Sequence, residues 1–222
     1  MEKATASKAG KSKISQGEKI RKGYMEYVLE NGTRPASIFK FVKDLKIKEE
    51  VFYEHYNSFE NVEKDIWAGM LHQTVESIQA EEVYDQYSAR EKLLAFYYTL
   101  IEVMKSNRSY ILQVTPQSRK PEMQPYYLEY FKKAFDEFIA DVLLEAQETE
   151  EVKTRPYISD RYKDGIWIQM LFVLRFWIKD DSKGFEKTDA AIEKAVNLSF
   201  DLMGRGPLDA MLDFAKFLYQ NK

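Results

Sequence analysis

The sequence predicts an all-α protein: a three-helix headpiece followed by a larger helical body, about nine helices in all. Three observations carry that prediction. Apolar residues recur at i, i+3, i+4 and i+7 along most of the chain, the spacing of a helix with one buried face. Only six prolines and nine glycines occur in 222 residues, which leaves long stretches without a helix breaker. Windows rich in β-formers, such as residues 110–114, are short and have no partner strand. No internal repeat is present.

Residues 1–14 read as a flexible basic arm, with Lys3, Lys8, Lys11 and Lys13 among small residues that have little to bury. They contain no apolar run of the kind a signal peptide needs. A helix over 15–30 follows, with Ile20, Tyr24, Tyr27 and Val28 on one face. Asn31-Gly32 ends it, glycine being favoured in the left-handed position past a helix C-terminus. Ser37 can cap the next helix, whose buried face is Ile38, Phe41, Val42 and Leu45. The pattern breaks at Lys46-Ile47 and restarts with Val51, Phe52 and Tyr56. Two short helices separated by three or four residues form a helix-turn-helix, in which the second helix enters the DNA major groove.

The fourth helix starts at Phe59, carries Val62, Ile66, Trp67, Met70, Val75 and Ile78, and is expected to reach about Tyr87. Ser88-Ala89-Arg90-Glu91 opens the next, amphipathic over 93–104. It is interrupted at 106–108 and resumes briefly at 110–112. Pro116, Pro121 and Pro125 mark a loop over 115–125. A long helix is expected over 126–150, with Tyr127, Phe131, Phe135, Phe138, Val142 and Leu143 inward. Residues 159–179 form the most apolar helix, apolar nearly all round and therefore central. Its core, 166–178, is shorter than the roughly 20 residues a bilayer requires, so no membrane span is expected. Residues 180–184 end it. Two last helices, 187–203 and 208–220, carry stripes at Ile192, Val196, Ser199 and Met203 and at Met211, Phe214 and Leu218. Such stripes either close the monomer's own core or pair with a second copy.

Charge divides the chain. Residues 1–48 hold 12 Lys/Arg against 5 Asp/Glu, and the remainder holds 21 against 31. A basic head on an acidic body suits a DNA-binding end attached to a regulatory part. Absence of cysteine excludes disulfides and thiolate chemistry and suits a cytoplasmic protein. With two histidines and no zinc spacing, no metal site is indicated. No phosphate loop, nucleophile elbow or di-iron pattern is found, so the expectation is a binding protein without cofactor, not an enzyme. Aromatic and methionine side chains between 88 and 179 offer a lining for an apolar small molecule: Tyr97, Tyr98, Met104, Tyr127, Trp167 and Met170. The same stripes serve equally as core.

The run 51–62 carries a family resemblance. Tyr53, His55, Tyr56, Ser58, Glu60 and Val62 match, in kind and spacing, the motif that closes the recognition helix of TetR-family transcriptional regulators. The resemblance covers about residues 14–67, with two departures. Lys46 stands where the family usually has the turn glycine, and Phe59 where it usually has a phosphate-contacting lysine.

The resemblance implies a headpiece over 15–60, a regulatory and dimerisation domain over 61–222, and a homodimer reading a palindromic operator on double-stranded DNA. It implies base-facing residues at Lys48, Glu49, Glu50 and Val51, with Lys13, Ser37, Lys46, Tyr53 and His55 as further DNA contacts. Dimerisation falls to Ile192, Val196, Met203, Met211, Phe214 and Leu218. A repressor of this kind is released when an apolar effector bound in the body shifts helix four. Glu49 and Glu50 are awkward against phosphates, although glutamate can read cytosine and both favour a helix N-terminus. The alternative is a TetR-fold protein that has lost DNA binding and binds or carries a lipid or isoprenoid, as the ubiquinone-biosynthesis accessory protein with a TetR-like fold does.

Overall fold

The computed structural model describes residues 15–115, 122–156, 158–204 and 206–221. Lys13 and the rest of the basic arm lie outside the described residues. These contain ten α-helices and no strand: α1 (Gln16–Asn31), α2 (Ile38–Asp44), α3 (Glu49–His55), α4 (Phe59–Gln79), α5 (Ala89–Lys105), α6 (Arg108–Val114), α7 (Glu129–Glu148), α8 (Tyr162–Lys179), α9 (Glu186–Met203) and α10 (Pro207–Gln220). The helix beyond the expected nine is α6, the brief resumption after the 106–108 break. No described helix is long and apolar enough to cross a membrane. The chain forms two compact units divided between Glu63 and Lys64, inside α4, against an expected boundary at residue 60.

Helix α4 is shorter than its sequence suggested, ending at Gln79 instead of near Tyr87. Past Ile78 the chain reads Gln79, Ala80, Glu81 and Glu82, with no large apolar side chain to keep a helical face buried. The backbone tightens into three-residue turns, Glu81 N–H to Ile78 C=O at 3.2 Å and Tyr84 N–H to Glu81 C=O at 3.0 Å, leading into a 3₁₀ turn at Tyr84–Gln86.

In the first unit the caps follow from sequence. The Ser15 hydroxyl accepts from Glu18 N–H at 3.1 Å, and Gly32 sits in the left-handed region with φ 69°. The end of α2 is a Schellman motif: Ile47 N–H bonds Val42 C=O (3.0 Å) and Lys46 N–H bonds Lys43 C=O (3.1 Å). Lys46 occupies its left-handed position with φ 55°.

In the second unit α8 packs against α7 and α9, and α5 against the same two; the expected central place of α8 is not found, because it keeps an outward apolar face with Ile168 and Phe172 exposed. Two arginines close the helix ends. Arg108 donates to the Trp177 and Ile178 carbonyls at the end of α8 (3.2 and 3.3 Å), while its guanidinium lies over the Trp177 and Phe185 rings, 4.6 Å from each centroid. Buried Arg155 does the same for α9, donating to the Met203 and Gly204 carbonyls, and it reaches Asp209 on α10 through Nε at 2.8 Å. Lys92 joins α5 to α7 through both oxygens of Glu145 (2.7 and 2.6 Å).

The link from α8 to α9 is tied by Asp180, whose carboxylate accepts from the N–H and hydroxyl of both Ser182 and Thr188. Burial pushes the Asp180 carboxyl up, but these four donors outweigh it and hold it well below the usual carboxylate range. A depressed folded-state value stabilises the fold above the unfolded carboxyl value of about 3.9 and is lost as pH falls below it. Wild type is therefore expected to be more heat-stable than Asp180→Asn at pH 6, with the gap between the two melting curves narrowing as pH falls from about 5 towards 2. A constant gap across that range would contradict this role.

Candidate functional site

The first unit holds together around rings. Tyr24 stacks on Phe59 (5.4 Å, 29°), and Phe41 meets Phe59 and Phe52 edge-on at 5.3 and 6.4 Å. Phe52 closes the cluster against Phe59 at 5.7 Å. Phe59, half-buried at the start of α4, thus meets rings from α1, α2 and α3, contacts that a lysine side chain would not make. Beside this cluster the buried Glu63 carboxylate accepts from the Tyr24 hydroxyl and, bidentately, from Arg34 at 2.7 and 2.6 Å. The Arg34 guanidinium comes from the α1–α2 connection, so one carboxylate ties α4 to α1 and to that connection.

What this core leaves outside is the candidate nucleic-acid surface. Lys46, Lys48, Glu50, Tyr53 and His55 are exposed, while Glu49 and Val51 are half-buried. Ser37 is exposed, but its hydroxyl is engaged as the α2 cap, accepting from Lys40 N–H at 3.3 Å. The Tyr53 ring is edge-on to Phe52 at 5.7 Å. His55 lies beside α1, its Nδ1 3.5 Å from where a Cβ on Gly17 would fall. Sequence reasoning missed Lys40 and Lys43 on α2 and the exposed Phe39. They sit opposite the Ile38/Phe41/Val42/Leu45 stripe, and that opposition was the signal that could have found them. Lys40, Lys43, Lys46 and Lys48 form no ion pair among the described residues.

The body's expected ligand-lining residues separate into groups. Tyr97, Met104, Tyr127, Trp167 and Met170 are buried. Tyr98 is partly exposed on the other side of α5, facing Glu193 and Asp189 of α9, so it does not join them. A ring-to-ring path links Tyr97 through Phe96 and Phe135 to Trp167, with centroid spacings of 5.5, 5.6 and 5.7 Å. Tyr127 pairs instead with Trp67 at 5.1 Å. Trp167 Nε1 is engaged, donating to Met123 C=O at 2.9 Å. The Tyr97 hydroxyl and Trp67 Nε1 are buried without a hydrogen-bond partner among the described residues. Burial pushes the Tyr97 phenol up, so it stays neutral. Trp67 was legible as core, but nothing in the sequence marked its indole N–H as uncommitted.

The expected dimerisation residues divide as well. Ile192, Val196 and Met203 are buried in their own chain, which corrects their assignment to a partner surface: the α9 stripe closes the monomer's core against α5 and α8. Met211, Phe214 and Leu218 on α10 are exposed, as are Ile168 and Phe172 on α8 and Leu198 and Leu202 on α9.

A helix-turn-helix unit followed by an all-helical unit with an aromatic interior is a build that regulators have. The model of the tetracyclin repressor-like C-terminal domain matches residues 92–218, more than half of the chain. The chain belongs to the TetR family of regulators. No curated protein matches the sequence.

Four substitutions test the site. Lys46→Gly relieves a left-handed conformation that costs a non-glycine residue roughly 1–2 kcal/mol, partly offset by the extra freedom glycine gains in the unfolded chain. It is expected to leave stability unchanged or slightly raised in urea unfolding, whereas Lys46→Val loses more than about 1 kcal/mol. Phe59→Lys restores the usual family residue but removes a shared ring, and a loss of about 2–3 kcal/mol in the same assay is expected. Tyr97→Phe deletes a buried, unpartnered hydroxyl and is expected to raise stability by about 1 kcal/mol. A destabilised Tyr97→Phe would mean that the hydroxyl has a partner.

Proposed function

We propose that this chain is a homodimeric, DNA-binding transcriptional repressor of the cytoplasm that an apolar small molecule releases from a palindromic operator. The observation that carries this reading is the row of exposed lysines Lys40, Lys43, Lys46 and Lys48 along α2 and the turn, none engaged in an ion pair among the described residues. Ammonium groups left without carboxylate partners along one edge of a helix-turn-helix match a phosphate backbone. Lys48, Glu49, Glu50 and Val51 then face base edges, with glutamate accepting from cytosine N4, and Tyr53 and His55 approach the backbone; Lys13 adds a contact from the arm. The buried aromatic interior, with the Tyr97 hydroxyl and Trp67 N–H uncommitted, suits an apolar effector with one or two polar atoms. The exposed apolar side chains of α8, α9 and α10 support a two-fold dimer, which a palindrome demands.

A specific observation favours a second reading. Glu50 and Glu54 are exposed on α3, and Phe59 packs on neighbouring rings, so the surface lacks one usual phosphate contact. The second reading is a TetR-fold protein that has lost DNA binding and binds a lipid or isoprenoid in its aromatic interior.

Selection of bound sequences from random duplex DNA separates the two. The repressor reading expects an enriched palindrome, with affinity falling as salt rises. Lys46→Ala and Lys48→Ala are each expected to flatten the log–log salt dependence by about 0.9 for every phosphate that the lysine neutralises. If no palindrome is enriched and a lipid co-purifies, as mass spectrometry of the isolated protein would reveal, the second reading takes its place.

A further inference from the structure

The last turns of α8 carry a face that the body's core does not use. Phe172, Arg175, Phe176 and Lys179 fall at i, i+3, i+4 and i+7, so the four side chains share one side of the helix. That side differs from the one turned to the aromatic interior: Trp167, Met170, Val173 and Trp177 are buried, whereas Phe172 is 48% exposed and Phe176 half-buried. Together with Asp180, Asp181 and Lys187 of the α8–α9 link, the four line a groove of about 340 Å³. The exposed Ile168, Leu198 and Leu202 lie towards the opposite end of the α8–α9 pair, where the Ser199 hydroxyl donates to the Gln169 side chain.

The floor of the groove is aromatic. The Phe172 and Phe176 rings lie 5.8 Å apart and are tilted by 48°, which presents two apolar ring surfaces to a flat guest. The rim is cationic. Of the two acids in the lining, Asp180 accepts from the N–H and hydroxyl of both Ser182 and Thr188, and Asp181 is paired with Lys187 at 3.0 Å. Both carboxylates are satisfied from within the link. Lys179 is exposed and forms no ion pair among the described residues. Arg175 stands one turn before it on the same face, and like charges at i and i+4 repel. An anion placed between the two is attracted by both. The carbonyls at the α8 C-terminus would themselves repel an anion, but Arg108 covers them from the far side, donating to Trp177 and Ile178 at 3.2 and 3.3 Å.

We propose that this groove is a second small-molecule site, separate from the aromatic interior, and that it takes an aromatic carboxylate. The ring of the ligand lies across Phe172 and Phe176, and its carboxylate reaches Lys179 and Arg175. The groove is at the lower end of the roughly 300–1,000 Å³ that ligand pockets occupy, so it suits one or two fused rings and not a long chain. A neutral arene gains only the floor, and a small inorganic anion gains only the rim. Selectivity comes from needing both. Because the groove is open, part of the ligand stays in water, and affinity is modest, with a dissociation constant of about 0.1–0.5 mM.

Titration of the isotopically labelled full chain with 2-naphthoate, followed by amide resonance shifts, tests this. Shifts are expected over residues 172–187, with the amides of Trp67 and Tyr97 unmoved. The neutral 2-naphthylmethanol is expected to bind at least about 5-fold more weakly. Lys179→Glu is expected to weaken 2-naphthoate by about 5–10-fold and to leave 2-naphthylmethanol unchanged, since the charge acts on the carboxylate alone. Phe176→Ala is expected to weaken both by about 5–10-fold, with far-ultraviolet dichroism preserved. Equal affinity for the acid and the alcohol would overturn the proposal, as would 2-naphthoate binding that Lys179→Glu leaves unchanged. Shifts confined to the surroundings of Tyr97 and Trp167 would place the ligand in the interior and remove the groove site. No shift up to about 2 mM ligand would remove it as well.

Discussion

The candidate DNA surface depends on one buried carboxylate. Helices α2 and α3 have seven residues each, far fewer than a helix needs to persist in water, so their positions come from what they pack against. Glu63 supplies the polar half of that support, holding the Tyr24 hydroxyl and the Arg34 fork while the Tyr24–Phe41–Phe52–Phe59 rings supply the apolar half. A carboxylate taken out of water demands partners, and removing one partner of such a pair costs far more than the pair itself contributes. Arg34 is partly exposed, which softens that cost and leaves Tyr24 as the buried partner. The arrangement fixes the first turn of α4 against α1, and the edge of α2 and α3 that faces solvent follows from it.

The second unit solves a related problem at its helix ends. The last carbonyls of a helix have no intrahelical donor, and in α8 and α9 they lie close to a packed core. Arg108 and Arg155 supply the missing donors, and each does more than cap. Arg108 also covers Trp177 and Phe185, and Arg155 also engages Asp209 and the Tyr162 hydroxyl. An arginine fits these roles because its planar fork donates in several directions while its face stacks on rings. The Arg155 contacts also make the start of α10 a fixed point, so the exposure of the rest of that helix is not fraying from its root.

Helix existence was legible wherever a strong stripe met a cap. Ser37, the Ser88–Glu91 capping box and Gly32 all stand where sequence put a helix boundary. The end of α4 was not legible, because the polar stretch after Ile78 suits either an exposed helix or tight turns. The stripe on α9 was legible as a stripe, but not as to what covers it. Ile192 and Val196 would read the same against α5 and α8 as against a second copy, and only the packing of the chain decides. Tyr98 illustrates a related limit: adjacent to Tyr97, it differs by about 100° around the helix, enough to turn a core position into a surface one. Lys46 could be flagged as a departure from glycine, yet that the chain keeps the left-handed turn regardless depends on the Val42 and Lys43 carbonyls receiving their bonds.

Phe59 then sets the electrostatics of the DNA reading. Since one side chain cannot both complete a ring cluster and reach a phosphate, the cations must come from elsewhere, and Lys40, Lys43, Lys46 and Lys48 are the ones at hand. Over residues 37–56 these four are matched by Asp44, Glu49, Glu50 and Glu54, so the proposed recognition surface is neutral overall, with its positive edge on α2 and the turn and its negative edge on α3. A neutral surface attracts a polyanion weakly, which lowers non-specific affinity along with specific affinity. Discrimination suffers less, because carboxylates facing base edges are tolerated only where a cytosine amino group answers them and repel elsewhere. On the proposed DNA reading, the chemistry of α3 therefore fits a reader that binds few sequences, with the lysines of α2 and the turn supplying its attraction to phosphate.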